Sequence, residues 1–266
     1  MSIRLASGTD AGLLREDNED SVVVMSEAAG LDALLIVADG MGGHAAGQVA
    51  STIAAETFAR ELDGDGGRGA TTKRLREAFK RANSAVFEAS KEAPERAGMG
   101  STVVAAAISG RHLAVLNVGD SPAYLLRDED VNVLTEDHSW PAEQARLGVI
   151  TEEQARDHPM KHRLTRAVGV WDHVQAYTYD CDLKNGDLLV LCTDGVEAAG
   201  LTREDVCTLL QGSDLDDGVR RVIEACISRG APDNVTLAVA RLEASADGAD
   251  IFDTVRTRRL PRIKRS

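Results

Sequence analysis

Aromatic side chains are scarce: Phe, Trp and Tyr make up 3% of the 266 residues. That excludes a surface on which successive nucleobases stack, since such surfaces are built from aromatic rings. Long apolar runs are missing too. The longest, Ala33 to Ala38 and Val103 to Ile108, have six residues, against the ~20 that a membrane-spanning helix needs. The opening stretch MSIRLASGTDAGLLRED lacks the apolar centre of a secretory signal. The four cysteines, Cys181, Cys192, Cys207 and Cys226, form no C-x-x-C pair and no Cys/His zinc spacing. They read as reduced structural thiols, Cys192 inside the strand LLVLC, and a cytoplasmic location is expected.

What the chain has in excess is acid. Asp and Glu number 43 against 30 Lys and Arg, a net charge of −13. Residues 256–266 (RTRRLPRIKRS) hold six of the basic residues and no acid. The rest of the chain is therefore more acidic still, which argues against a partner that presents phosphate backbone. Most carboxylates belong to a solvated surface, and spacing has to single out the others.

Residues 21–25 (SVVVM) and 33–38 (ALLIVA) read as strands. The turn-rich ADGMGGHAAG leads into a helix over 45–62, with Val49, Ile53 and Leu62 expected in the core. After a Gly-rich break at 64–69 a second helix spans 71–91, burying Leu75, Phe79, Ala82, Val86 and Ala89 at spacings of 3 and 4. Runs at 103–108, 112–118, 123–127 and 131–134 suggest an antiparallel meander. Residues 141–165 are polar, with two short helical stretches, and read as an insertion. Strands at 174–180 and 187–193, helices at 203–210 and 215–228, and a strand at 234–241 complete the series. Strands and helix pairs in this order imply an α+β fold with antiparallel sheets, not repeated βαβ units. The segment 243–266 has little apolar content and is expected to be a flexible basic tail.

Acids recur where strands end. Asp39-Gly40 follows LLIVA, Gly119-Asp120 follows LNV, Asp194-Gly195 follows LVLCT, Asp233 leads into the last strand and Glu19-Asp20 precedes an early one. Asp-Gly and Asp-Asn favour turns whatever the function, so one such pair carries nothing. Five beside core strands point further. If those strand ends converge, the carboxylates share a pocket and repel unless cations neutralise them, and an all-oxygen site suits Mg²⁺ or Mn²⁺. Glycine after Asp39 is expected to let a backbone carbonyl approach a metal. The chemistry alone favours a metal-assisted hydrolase.

The ordered set TDAGLLREDNEDS, ADGMGGHAAG, GMGST, GDSPAY, EDHSW, HPMKHRLTRAVG, CTDGV and GAPDNVT resembles the metal-dependent protein phosphatase 2C (PPM) family in its bacterial form, from about Ser7 to Leu242. The resemblance implies two stacked antiparallel sheets flanked by helix pairs, a four-layer αββα sandwich, with metals in a cleft at one end. It implies a catalytic domain over 1–242, a flap over 137–166 beside the site, and removal of phosphate from phosphoserine and phosphothreonine in proteins. By motif, Asp39 corresponds to the carboxylate bridging two Mn²⁺ or Mg²⁺ ions, Gly40 gives its carbonyl to the first, and Asp194 and Asp233 complete the second. Glu19 and Asp20 correspond to holders of metal-bound waters, Asp120 with Asp194 to a weaker third site, and Arg15 to the phosphate-binding arginine. A water shared by two cations, acidified by both, would attack phosphorus in line, while the Arg15 fork holds two phosphoryl oxygens. Read alone, Arg15 also suits a surface pair with Glu16, Asp17 or Glu19.

Met41 stands where eukaryotic members have a histidine. His44, in the usual bacterial position, is read equally as a general acid or a helix cap, and a metal-bound water is the other candidate donor. Pro122 replaces the usual arginine of GDSR, Ser101 a threonine, and His162 an asparagine. His138 and His158 are read equally as structural or functional. Expected partners are phosphorylated proteins, bacterial-type serine/threonine kinases and their substrates among them, with the chain a monomer. The rival readings are a catalytically silent phosphoprotein-binding module and a phosphatase dedicated to one regulatory protein.

Overall fold

The computed structural model describes residues 2–28, 30–43, 45–64, 71–212 and 214–244. Among them the strands are β1 Ser2–Asp10, β2 Asp20–Ala28, β3 Leu31–Met41, β4 Gly100–Ser101, β5 Val103–Ser109, β6 His112–Val118, β7 Ala123–Arg127, β8 Asp130–Val133, β9 Tyr177–Asp182, β10 Leu188–Cys192 and β11 Val235–Glu243. The helices are α1 Ala45–Gly64, α2 Thr71–Ala89, α3 Trp140–Arg146, α4 Glu152–Arg156, α5 Gly195–Ala198, α6 Arg203–Leu210 and α7 Leu215–Ser228. One antiparallel sheet runs β1-β11-β10-β7-β8 and the other β2-β3-β5-β6-β9, with β4 paired to β3.

Alternation along the strands builds three apolar layers. In β3, Leu34, Ile36 and Ala38 face α1 and α2, while Ala33, Leu35 and Val37 face the other sheet. In β10, Leu188, Val190 and Cys192 pack with α6 and α7, and Leu189 and Leu191 point between the sheets. Both faces are buried, so these strands are continuous apolar runs although the sheets are antiparallel. The result is helix, sheet, sheet, helix, as the family resemblance implies.

The buried stripe of α1 is Ala46, Ala50, Ala54, Phe58 and Leu62. Val49 and Ile53, expected in the core, are only partly buried. The helix lies too close to β3 for large residues at its first turns: a Cβ on Gly40 would stand 2.1 Å from the Gly47 carbonyl oxygen and 2.6 Å from that of Glu19. Helix packing therefore demands the glycine after Asp39, a stronger requirement than the carbonyl approach expected of it. In α2 all five expected residues are buried.

Three other expectations change. The runs from 103 to 134 are not one meander: β5 pairs with β6 and β7 with β8, but the chain passes from one sheet to the other between Val118 and Ala123. Strand β1 gave no sequence signal because, as an edge strand, it buries only Ala6 fully. Helix α5 is a single turn after Asp194. The chain also crosses between sheets from β1 to β2, through residues 11–19. Both crossings, and the ends of β3 and β10 nearest them, lie at one end of the sandwich. Residues 65–69 of the Gly-rich break, like those from 245 onward in the expected tail, lie outside the described residues.

Leu35 is fully buried between the sheets. Leu35→Ala removes that packing and leaves a cavity, so chemical denaturation is expected to show a loss of about 2–5 kcal/mol.

Candidate active site

The residues singled out in the sequence meet at this end. Asp20 and Asp39 stand directly opposite each other in the β2–β3 register, an arrangement in which like charges repel. The Asp39 backbone is clamped from β4–β5: its amide donates to Thr102 Oγ1 at 3.0 Å, and its carbonyl accepts the Thr102 amide at 2.8 Å and Ser101 Oγ at 3.0 Å. Thr102 Oγ1 also lies 2.7 Å from Ser121 Oγ, in the crossing that carries Asp120. Asp20 Oδ2 accepts the Thr193 hydroxyl at 2.9 Å, joining the two sheets, while Asp20 Oδ1 is buried with no hydrogen-bond partner among the described residues.

The first crossing is held as firmly. Asn234 Oδ1 accepts the Glu19 amide at 2.9 Å, and its Nδ2 donates to the carbonyls of Ala11 and Asp17, both at 2.9 Å. Arg15 Nη2 donates to Asp233 Oδ2 at 2.9 Å, with its side chain still 53% exposed. Arg15 thus pairs across the cleft and not with its chain neighbours Glu16, Asp17 or Glu19 as the simpler reading had it. The Asp233 bond first, and Glu19 and Asp39 more weakly, hold its charge.

A cleft of about 950 Å³ opens here, lined by Arg15, Glu19, Asp39, Asp120, Asp194 and Asp233. Gly40 and Thr102 also line it, as do Lys161, His162 and Leu164 from the polar segment after β8. His162 Nδ1 stands 3.7 Å from Asp194 Oδ2. Asp39, Asp120, Asp194 and Asp233 are half-buried, each open to the cleft and crowded elsewhere. Burial first, and neighbouring carboxylates second, push Asp39 well above the usual range and raise Asp194. Asp120 is raised to about 8 by burial and by Asp194. Asp20 is raised to about 7, chiefly by burial, against the bonds from Thr236 and Thr193. His44 lies outside the described residues. Pro122 precedes the first residue of β7, and its carbonyl accepts the Cys192 amide at 3.1 Å. Strand pairing needs no amide hydrogen there.

The Protein phosphatase 2C family model matches residues 9–240. The chain belongs to the protein phosphatase 2C family. Serine/threonine phosphatase stp of Listeria monocytogenes is 34% identical over 245 residues, covering 91% of this chain and 97% of that protein. Serine/threonine protein phosphatase PstP of Mycobacterium tuberculosis is 35% identical over 238 residues, covering 90% of this chain but 45% of that protein. The chain thus spans about half the length of PstP. A crystal structure of the M. tuberculosis phosphatase superposes with a TM-score of 0.83 at 36% identity, covering 92% of this chain and 100% of that one. A PstP catalytic domain in complex with two manganese ions gives 0.79 at 34%, covering 91% and 99%.

The side chains of this family member suit hard divalent cations. The donors are all oxygen, one buried carboxylate oxygen, Asp20 Oδ1, has no partner among the described residues, and the carboxylates oppose one another's ionisation. They ring the cleft without closing on one point: no three His, Cys, Asp or Glu side chains among the described residues form a finished ligand set. Thr102, Thr193 and Asn234 were not singled out in the sequence. Each sits inside a motif that was, GMGST, CTDGV and GAPDN, and its side chain holds a group far along the chain, the Asp39 backbone, the Asp20 carboxylate and the Glu19 amide in turn, which spacing does not reveal.

The raised carboxylates set a pH signature. With folded-state values of about 7 for Asp20 and about 8 for Asp120, the folded chain holds protons that the unfolded chain, with ordinary carboxylates near ~4, releases. That stability is complete below the unfolded value and lost as pH rises through 7 and 8. His138, lowered to about 3, acts oppositely, but only below its unfolded value of ~6.5. In chelator, thermal unfolding is therefore expected at higher temperature at pH 6.5 than at pH 8.5, and Mn²⁺, which favours ionised carboxylates, should flatten or invert the slope. A chelated protein that gains stability toward pH 8.5 would contradict these shifts.

Proposed function

We propose that this chain is a divalent-cation-dependent phosphatase that removes phosphate from phosphoserine and phosphothreonine in proteins. The observation that carries this reading is the convergence of Glu19, Asp39, Asp120, Asp194 and Asp233 with Arg15 on one open cleft, with Asp20 buried beside Asp39, in a chain of this family. In the roles implied by motif, Asp39 serves two Mn²⁺ or Mg²⁺ ions, with Gly40, Asp194 and Asp233 completing the pair. Glu19 and Asp20 act through water, and Asp120 with Asp194 serves a weaker third ion. When bound, such ions neutralise the carboxylates and acidify water beside phosphorus.

The chain's own contribution is placement. Clamped backbones at Asp39 and Glu19 keep the floor of the cleft from spreading under its own repulsion. Asp233 orients the Arg15 guanidinium while leaving it half exposed, free to hold two phosphoryl oxygens as a fork. Lys161 adds positive charge to the cleft lining, with His162 beside it. Proton delivery to the leaving oxygen is assigned to His44 or to water. The open mouth suits a phosphorylated segment of a protein, kinases and their substrates included. Residues 1–242, with a flap over 137–166, make the catalytic unit, acting as a monomer in the cytoplasm. The silent-module reading is disfavoured because the metal aspartates implied by motif, Asp39, Asp194 and Asp233, are all present in the chain.

Hydrolysis of a phosphothreonine peptide should require added Mn²⁺ or Mg²⁺ and stop in excess chelator. Asp39→Asn should abolish it with the fold intact by circular dichroism. Turnover in chelator would overturn the reading.

Arg15→Ala should raise KM and lower kcat/KM by ~1.5–3 kcal/mol, the scale of hydrogen bonds to charged groups. Lysine, a point charge without a fork, should restore only part of it. Unchanged steady-state kinetics would return Arg15 to a purely structural pair with Asp233.

A further inference from the structure

One fully buried imidazole lies just behind the cleft wall and has no part in the roles above. His138 joins two parts of the chain. Toward the β6–β7 crossing, its Nδ1 accepts the Gly119 amide hydrogen at 3.1 Å and its own amide donates to the Gly119 carbonyl at 3.1 Å. Toward the far foot of the polar segment, its carbonyl accepts the Thr165 amide at 2.7 Å and the Thr165 hydroxyl at 2.9 Å. Its Nε2 lies 2.9 Å from Arg166 Nη1 and 3.4 Å from Glu136 Oε1. The segment between closes on itself through the Ser139–Leu164 bridge and the Trp140 amide on the Arg163 carbonyl at 2.7 Å.

A backbone amide only donates, so the bond from Gly119 uses the lone pair of Nδ1, while Arg166 Nη1, also only a donor, lies against Nε2. Burial, with the cations Arg166 and Arg146, keeps the ring neutral. Gly119 has φ +103 and lies against Thr102, where a Cβ would stand 2.6 Å from Cγ2. Its peptide has little room to turn, and the next residue is Asp120. The same residue thus holds the peptide that aims a cleft carboxylate, through its ring and its amide, and the far foot of the segment that supplies Lys161 and His162, through its carbonyl and the ring contact with Arg166.

We propose that His138 is a positioning residue that fixes the Gly119–Asp120 turn and makes that turn and the 139–164 segment one mechanical unit. Its functional consequence, though not its geometry, rests on the reading of Asp120 as a cation ligand.

Three full-length variants test it. In His138→Asn the amide oxygen takes the place of Nδ1 and can still accept from Gly119. In His138→Gln the polar end falls where Nε2 was. His138→Ala keeps neither. Hydrogen exchange should show the Gly119 amide and the 139–164 amides protected in wild type and Asn. In Gln and Ala both groups should lose protection together, by roughly tenfold or more, the scale of one buried bond lost. Calorimetric Mn²⁺ titration should show Ala weakening the weakest binding step as much as Asp120→Asn does, with no further loss in the double variant, since residues acting through one another are not additive.

Gln protecting as well as Asn, or one segment loosening without the other, would overturn the proposal, and so would additive losses in the double variant. If Asp120→Asn alone leaves Mn²⁺ binding unchanged, the ligand reading of Asp120 fails, and the exchange comparison of Asn with Gln still decides the role of His138. Should Ala not fold, the same comparison stands without it.

Discussion

Carboxylates that repel one another are held together here, and the molecule is arranged so that they cannot move apart. Asp20 and Asp39 face each other across adjacent strands. Asp194 ends a strand of the other sheet, and Asp120 lies in the passage between sheets. None can retreat without dragging a strand whose place is set by apolar layers on both faces. Repulsion at the rim, a few charges at partial burial, is small beside three packed layers. The fold can therefore tolerate a floor that opposes its own ionisation and is suited to cations.

Rigidity at that floor comes from short-range polar bonds, not from the core alone. Thr102 grips both backbone groups of Asp39, Asn234 grips the loop from Ala11 to Glu19, and Thr193 ties Asp20 to the opposite sheet. Each gripping residue comes from a different element, so the cleft is fixed from several directions. The wall that differs in character is the 139–164 segment. It has two short helices and few apolar contacts of its own, yet its two feet meet at one buried histidine. A firm floor beside a wall built of loop and short helices is a common way to combine fixed chemistry with variable recognition.

The distance from sequence to site varied from residue to residue. The acids were visible because Asp-Gly and Asp-Asn beside apolar runs are few and strongly patterned, and the structure brings them to one cleft. The reason for Gly40 was not: a close helix contact with Gly47 joins positions that no local pattern links. Val49 and Ile53 satisfied helical periodicity, but α1 sits so near β3 that alanines fill the contact instead. Strand β1 escaped because an edge strand need not alternate cleanly.

By itself, the sequence determined most of the strands and helices, β1 excepted, and the chemistry of the charged groups, since these follow from local propensity and side-chain type. Which strands share a sheet was decided only in three dimensions. The turn from Val118 to Ala123 looks like any hairpin connection, and only packing makes it a passage between sheets. The partner of Arg15 was decided there too: Asp233 lies 218 positions away along the chain, and its pairing with Arg15 depends on β1 and β11 lying side by side. Charge, propensity and periodicity are properties of neighbours in sequence. Convergence of five acids and an arginine on one cleft is a property of how layers stack.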